Sequence, residues 1–237
     1  MVKNILAILI CCSLIGCAKK EVKLPLLGFK GVQEIHNHSQ IWFFFDIQNK
    51  DTTVVINRNN TISSTHWIYN IDRRLPLKTI IPSIVSLKEK HASGVHSKEG
   101  MLNYFSYSDT LSNTLSFLEF DAVNYKTDSL LSTYFIRENN SDYVKYNNIN
   151  LTFNPKNIWL NDAKLEKTEF RNTLLEFIDF SEDKQQTMLH LNFNQNLLYQ
   201  DYLYYKTLLL NYNKSSIRSN SIEFIFDPNK VPDCGCE

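Results

Sequence analysis

The feature that most constrains the fold is the change of hydrophobic period in the second half of the chain. Ile149, Leu151 and Phe153 alternate with polar residues, which predicts a strand with one buried face. Residues 154–157 have turn chemistry, and residues 158–160 predict the second strand of a hairpin. A helix follows, indicated by the spacing of Phe170, Leu174, Phe177 and Ile178, and then a strand in which Leu189, Leu191 and Phe193 alternate with polar residues. A second helix is indicated by Leu198, Tyr202, Tyr205, Leu209 and Tyr212, and a last strand by Ile222, Phe224 and Phe226.

This order of strand, strand, helix, strand, helix and strand resembles the periplasmic domain of the ExbD/TolR biopolymer-transport family. The resemblance covers residues 143–227 and includes the hairpin through residues 158–162 and the helix entry at residues 165–170. It implies contact with envelope machinery or peptidoglycan, and dimerisation as in that family. The chain departs from the family at its anchor, because those proteins carry a transmembrane helix with a proton-path Asp.

The first half of the chain is rich in predicted strands and contains one predicted helix. Residues 41–47 are strongly β-prone, and residues 52–56 and 62–71 predict a hairpin. Pro82 fits the helix only if the helix begins near Thr79, which places the proline in the first turn. That helix is indicated by Leu77, Ile80, Ile81, Ile84 and Leu87, and residues 102–107, 115–123 and 130–136 predict strands or short mixed elements.

Together these patterns predict an α+β fold of two layers, in which helices pack on one face of mixed or antiparallel sheets. Hairpin, helix and strand recur in both halves, so two related subdomains fit the pattern, although no residue-level repeat settles a duplication. The expected organisation is a signal peptide at 1–16, a lipidated Cys with a spacer at 17–40, an N-terminal subdomain at 41–138, a C-terminal subdomain at 143–227 and a tail at 228–237.

The N-terminus has the form of a secretory signal. A basic start at Lys3 precedes an apolar run over residues 5–15, which is shorter than the roughly 20 residues that span a bilayer. The run closes with Leu14-Ile15-Gly16-Cys17, which resembles a bacterial lipobox. The resemblance implies that Cys17 is acylated and becomes the first mature residue, and that Ala18, since it is not Asp, favours the outer membrane. We expect an outer-membrane lipoprotein on the periplasmic face; an ordinary signal peptide is the alternative.

Two of the five cysteines, Cys234 and Cys236, lie in the C-terminal tail. In an oxidising compartment they could close a small strained disulfide, bind a soft metal or take part in redox chemistry. A structural zinc site needs four ligands, and beyond His36 and His38 the sequence suggests none to complete one. The state of this pair and any metal therefore stay open, and the covalent lipid on Cys17 is the single non-protein group expected.

No catalytic residue is assigned. Lys+Arg 25 against Asp+Glu 25 leaves no net charge, which removes the electrostatic footprint of a nucleic-acid binder. Glycine-rich phosphate loops, a Gly-x-Ser-x-Gly elbow and zinc-protease His spacing are absent from the sequence. Glu119 and Asp121 share a face of a predicted strand, but two acids on a solvent face are far commoner than a catalytic pair. The composition therefore favours a protein that is not an enzyme.

A surplus of tyrosine marks the last predicted helix. If Tyr202, Tyr205 and Tyr212 form its buried face, Tyr199 and Tyr204 point elsewhere and are expected to form a partner surface. The tryptophans Trp42, Trp67 and Trp159 lie in β-prone stretches and are assigned to packing. The leading interpretation is a non-catalytic interaction or scaffold module of the cell envelope, which could form a homodimer. The alternative is a metal- or thiol-handling lipoprotein that works through Cys234 and Cys236.

Overall fold

A computed structural model describes residues 20–94, 98–181, 186–210 and 217–231; Cys17, Cys234 and Cys236 lie outside them. The first six-stranded sheet consists of β1 (Leu26–Leu27), β2 (His38–Gln48), β3 (Asp51–Asn57), β4 (His66–Ile71), β5 (Asn103–Asp109) and β6 (Thr114–Glu119). The second consists of β7 (Asn124–Lys126), β8 (Asn147–Phe153), β9 (Ile158–Leu160), β10 (Ala163–Leu165), β11 (Thr187–Asn194) and β12 (Ile217–Phe226). The helices are α1 (Leu77–Ser93), α2 (Ser132–Glu138), α3 (Asn140–Tyr143), α4 (Phe170–Ser181) and α5 (Tyr199–Leu210). Both sheets are mixed, which confirms the predicted α+β class.

The two sheets share one strand order. In the first sheet the order is β3–β2–β4–β5, and in the second it is β9–β8–β11–β12. Each begins with an antiparallel hairpin, β2–β3 or β8–β9, and continues with two strands parallel to the first hairpin strand. The last two strands are joined by α1 in one unit and by α5 in the other. The expected relation between the halves is therefore present at the level of topology.

The two units meet at an internal pseudo-two-fold just before α1 and α5. Pro76, the residue before α1, forms an antiparallel bridge with Leu198, the residue before α5. Because these positions are equivalent in the two units, the backbone bonds around the bridge are reciprocal. Leu77 N–H donates to Leu197 O at 3.0 Å, Tyr199 N–H to Leu75 O at 2.8 Å, Lys78 N–H to Gln195 O at 2.8 Å, and Gln200 N–H to Arg73 O at 3.2 Å.

One continuous hydrophobic core joins the inner faces of both sheets with α1 and α5. Phe105 of β5 illustrates the junction, since its ring stacks on Phe120 at 3.7 Å and meets Tyr199 of α5 edge-on at 5.7 Å. Burial on this scale is the main favourable term in folding. We therefore expect the two units to fold as one cooperative body.

The hairpin predicted from residues 52–56 and 62–71 is wrong. β3 pairs antiparallel with β2, and β4 lies parallel to β2 on its other side. Asn49 and Lys50 form the connection from β2 to β3, and both have a positive φ, of 51° and 71°. Two-residue hairpin turns of this kind match the twist of the flanking strands. Alternation thus located the strands but did not identify their partners.

The predicted start of α1 near Thr79 is also wrong, because the helix begins at Leu77 and contains Pro82 in its interior. The N–H groups of Leu77 and Lys78 are held by carbonyls of the other unit, so the first turn is fixed from outside the helix. Pro82 has no N–H, so the carbonyl of Lys78 lacks its intrahelical donor.

Two predicted boundaries change. The spacer assigned to 17–40 is part of the fold from Lys23, whose N–H donates to Asp72 Oδ2 at 3.0 Å, and β1 pairs with β5. The break expected between 138 and 143 falls earlier, since β7 at residues 124–126 already pairs with β12 of the second sheet. Both boundaries differ from the prediction because they are set by strand pairing between residues that are distant in the sequence.

Candidate functional site

The outer face of the second sheet, opposite the core, carries polar side chains. Along β8, Leu151 and Phe153 point into the core, and Asn150 and Thr152 lie on the outer face. The register places Trp159 of β9 and Asn192 of β11 on either side of Thr152 in one row. Helix α2 covers part of this face, and the remainder is a groove.

The groove, named here the Trp159 groove, is a cavity of about 500 Å³ between the β8–β9 hairpin and α2. Trp159 is 38% exposed, which is high for the largest aromatic side chain. Its neighbours Ile158 and Leu160 are buried, so the pleat turns the indole outward. The other polar residues of its lining are Thr133, Tyr134, Arg137, Asn150, Thr152, Asn154, Asn161, Asp162 and Asn192, and its apolar residues are Leu131, Phe226, Pro228 and Val231.

Hydrogen bonds from Ser132, at the start of α2, hold the wall of the groove. Its N–H donates to Asn192 Oδ1 at 2.7 Å, and its hydroxyl donates to Asn150 Oδ1 at 2.8 Å. Asn192 returns a bond from Nδ2 to Ser132 Oγ at 2.8 Å. At the far side, Asn161 has a φ of 51° and its Oδ1 accepts the N–H of Asn150 at 2.8 Å. The amides are therefore fixed before any ligand arrives, which lowers the entropic cost of binding.

The chemistry of the Trp159 groove is mostly neutral. Amide and hydroxyl groups both donate and accept hydrogen bonds, which suits a ligand rich in hydroxyl and amide groups. The indole offers a flat apolar face to the C–H face of a sugar ring. Arg137 and Asp162 contribute one charge of each sign. This combination fits a saccharide better than a strongly charged ligand.

A buried charge network lies in the core near β12. Glu223 is 2% exposed; its carboxylate accepts a bond from Tyr202 Oη at 2.7 Å and another from Lys206 Nζ. Tyr125 and Tyr202 share a bond between hydroxyls at 2.9 Å. Burial, together with the charge of Glu223, raises the pKa of both tyrosines well above 10. Both carboxylate oxygens are occupied, so Glu223 is paired and is not positioned as a general base.

A second polar cluster fastens the segment between the two sheets. His91, which is 4% exposed, stacks on Trp67 at 4.1 Å and contacts Asn103 Oδ1 at 3.0 Å. Asn103 in turn donates from Nδ2 to Asp121 Oδ1 at 2.7 Å. Lys88 Nζ donates to the carbonyls of residues 120, 121 and 123. Since these bonds join α1 to the connecting segment, the cluster serves structure.

The structure contradicts the prediction that Tyr199 is part of a surface. Tyr199 is fully buried because it is the first residue of α5 and packs on Phe105 across the pseudo-two-fold. Tyr204 is 46% exposed and remains available to a partner. The two predicted surface tyrosines are therefore on different sides of the helix.

The other predicted site residues are the three cysteines and the histidines His36 and His38. Cys17, Cys234 and Cys236 lie outside the described residues. His36 is exposed beside Glu34, and His38 Nδ1 contacts the carbonyl of Ile35 at 2.7 Å. Over residues 20–94, 98–181, 186–210 and 217–231, no three His, Cys, Asp or Glu side chains form a group that could hold a metal ion. In the same ranges, no helix is both long and apolar enough to span a bilayer.

The groove residues were missed because Trp159 was assigned to packing. The sequence did contain a signal, because Trp159 lies between Ile158 and Leu160 in a strand. If Ile158 and Leu160 face the core, the indole of Trp159 lies on the opposite face of the sheet. What the sequence lacked was the position of α2 opposite it.

Comparison of the chain with protein-family models, curated proteins and solved structures finds no match.

Proposed function

We propose that this chain is a lipid-anchored, non-catalytic interaction module of the cell envelope. In this proposal Cys17 carries the lipid, the folded residues stand at the periplasmic face of the outer membrane, and the Trp159 groove binds the glycan strand of peptidoglycan. The lipobox and the resemblance of residues 143–227 to the ExbD/TolR domain support the location. The exposed indole of Trp159 beside fixed amides is the observation that carries the binding function.

The N-terminal tether supports a position close to the membrane. The backbone N–H of Lys23 is bonded to Asp72, and Lys23 is the sixth residue after Cys17. An extended chain spans at most about 3.6 Å per residue, so the lipid lies within roughly 20 Å of this point on the fold.

Glycan binding is tested by co-sedimentation of the lipidated protein, purified in detergent, with isolated peptidoglycan sacculi. Trp159→Ala is expected to raise the half-saturating concentration about tenfold or more, because central aromatic residues dominate binding energy. Tyr204→Ala, which removes an exposed aromatic from α5, is the matched control and should bind as the wild type does. Equal binding by Trp159→Ala, or no binding by the wild type, would contradict the proposal.

The anchor is tested separately by growing cells with a labelled fatty acid and fractionating their membranes. The wild type should carry label and sediment with the outer membrane, since two or more acyl chains hold a protein stably on a bilayer. Cys17→Ser should carry no label. A labelled Cys17→Ser protein would show that the lipid, if any, is attached elsewhere.

A further inference from the structure

The outer face of the first sheet is built like that of the second. Asn70 of β4 and Asn192 of β11 occupy equivalent positions. Each directly precedes the last core-facing residue of its strand, which is Ile71 in β4 and Phe193 in β11. The register pairs Asn70 with Trp42 of β2, and it pairs Asn192 with Thr152 of β8. A tryptophan thus lies in the same cross-strand row of both sheets, on β2 in the first and on β9 in the second.

Each outer face is also partly covered in the same way. In the first sheet Val32 forms an antiparallel bridge with Phe117 of β6, and Ile35 belongs to a small apolar cluster with Ile68, Tyr104 and Phe117. This segment corresponds in place to α2, which packs through Phe135 on Phe224 of the second sheet. The uncovered remainder of the first face is a cavity of about 660 Å³, named here the Trp42 groove.

The Trp42 groove presents chemistry of the same kind. Its lining includes Trp42, Gln40, Asn70, His36, His38 and Glu34, together with apolar side chains of the sheet and of the N-terminal segment at Val22 and Leu24. Ser106 Oγ donates to Asn70 Oδ1 at 2.8 Å, so this amide is fixed from the sheet as Asn192 is fixed from Ser132. Trp42 is half-buried, and its ring lies nearly parallel to that of Phe44, with 6.4 Å between the ring centroids.

We infer that the Trp42 groove is a second saccharide-binding cleft, so that one chain holds two clefts related by the internal pseudo-two-fold. The inference rests on the proposed function of the Trp159 groove and extends it. The reciprocal bonds around Pro76 and Leu198 fix the two units relative to each other, so the clefts keep a constant spacing. Two clefts on one rigid body allow two contacts with a polymeric glycan, which strengthens binding without new chemistry.

The test is titration of the lipidated protein with the N-acetylglucosamine tetrasaccharide, followed by NMR of the three indole N–H signals. The protein is labelled with ¹⁵N and held in a detergent without a sugar headgroup, since such a headgroup would compete. Trp42→Phe and Trp159→Phe assign two signals and keep an aromatic ring at each site. Trp67, which is 3% exposed and donates from Nε1 to Ile62 O at 2.9 Å, is the internal control.

We expect the indole signals of Trp42 and Trp159 to shift until the titration saturates, while the Trp67 signal stays in place. A shift of the Trp159 signal alone would overturn the second cleft and leave the proposed function standing. If neither cleft signal moves, both the second cleft and the proposed function fail. The titration itself is made on the wild type, and the two variants serve only to assign its signals.

Discussion

The buried imidazole of His190 makes the stability of this fold depend on pH. His190 lies on the outer face of β11, where its Nε2–H donates to Asn148 Oδ1 at 2.9 Å. Its Nδ1 accepts a bond from Asn220 Nδ2 at 3.1 Å, and the ring meets Tyr143 edge-on at 5.2 Å. Since one ring nitrogen donates and the other accepts, the site holds the neutral form. Burial lowers the pKa of His190 from 6.5 to about 4.

The direction and size of the effect follow from these two pKa values. Between pH 6.5 and 4 the unfolded chain binds a proton that the folded chain does not, so the contribution of His190 is full above pH 6.5 and is lost as the pH falls. The difference corresponds to about 3 kcal/mol of unfolding free energy, of which about 2 kcal/mol is lost by pH 5. This loss is a large share of the free energy of unfolding of a typical domain, which is about 5–15 kcal/mol.

Urea unfolding at intervals from pH 7.5 to 4.5 measures the effect for the wild type, His190→Gln and His36→Gln. The carboxylates titrate in all three proteins, so the quantity to compare is how steeply the free energy of unfolding falls as the pH is lowered. Between pH 7 and 5 the wild type and His36→Gln should lose about 2 kcal/mol more than His190→Gln. A wild-type slope equal to that of His190→Gln, or one of opposite sign, would refute the argument from burial.

Three further outcomes are expected. Glu223→Gln leaves the ammonium of Lys206 buried without its carboxylate and should cost about 3–5 kcal/mol in urea unfolding; a loss below about 1 kcal/mol would contradict the pairing. Gly31→Ala should lower stability by about 1–3 kcal/mol in thermal unfolding, because its Cβ would lie 2.6 Å from a carbonyl oxygen of β6. Gly28→Ala, whose Cβ meets nothing nearer than 3.8 Å, is the control. Tyr204→Ala should lose protein partners in cross-linking of intact cells with stability unchanged within about 0.5 kcal/mol, and retained partners would place that surface elsewhere.

The elements of this fold could be predicted from local pattern, and so could the β8–β9 hairpin, but the pairing of strands distant in sequence could not. The element order of the second half, from β8 to β12, follows the predicted order with the short β10 added. Pairing failed for β3 and β4, since a strand alternates in the same way whichever strand lies beside it. The start of α1 at Leu77 depends on a carbonyl of Leu197, far along the chain, which no local signal contains.

The candidate site was harder to predict than the fold because it depends on which faces are covered. Tyr199 reads as a surface residue when α5 is taken alone, and it is buried because the other unit supplies Phe105. Trp159 reads as a core residue by type, and it is exposed because the core lies on the side of Ile158. In both cases the residue type was informative, and the tertiary neighbour decided its role.

The internal pseudo-two-fold bears on the dimer that the family resemblance implies. A two-fold dimer interface uses the same patch on both subunits, so that residue i contacts j and j contacts i. The bonds around Pro76 and Leu198 have this reciprocal form within one chain. The backbone groups around Pro76 and Leu198 are therefore bonded within the chain and are not free to pair with a second copy. We expect the purified protein to be a monomer in light scattering at micromolar concentration, and a stable dimer would show that a second interface exists outside this bridge.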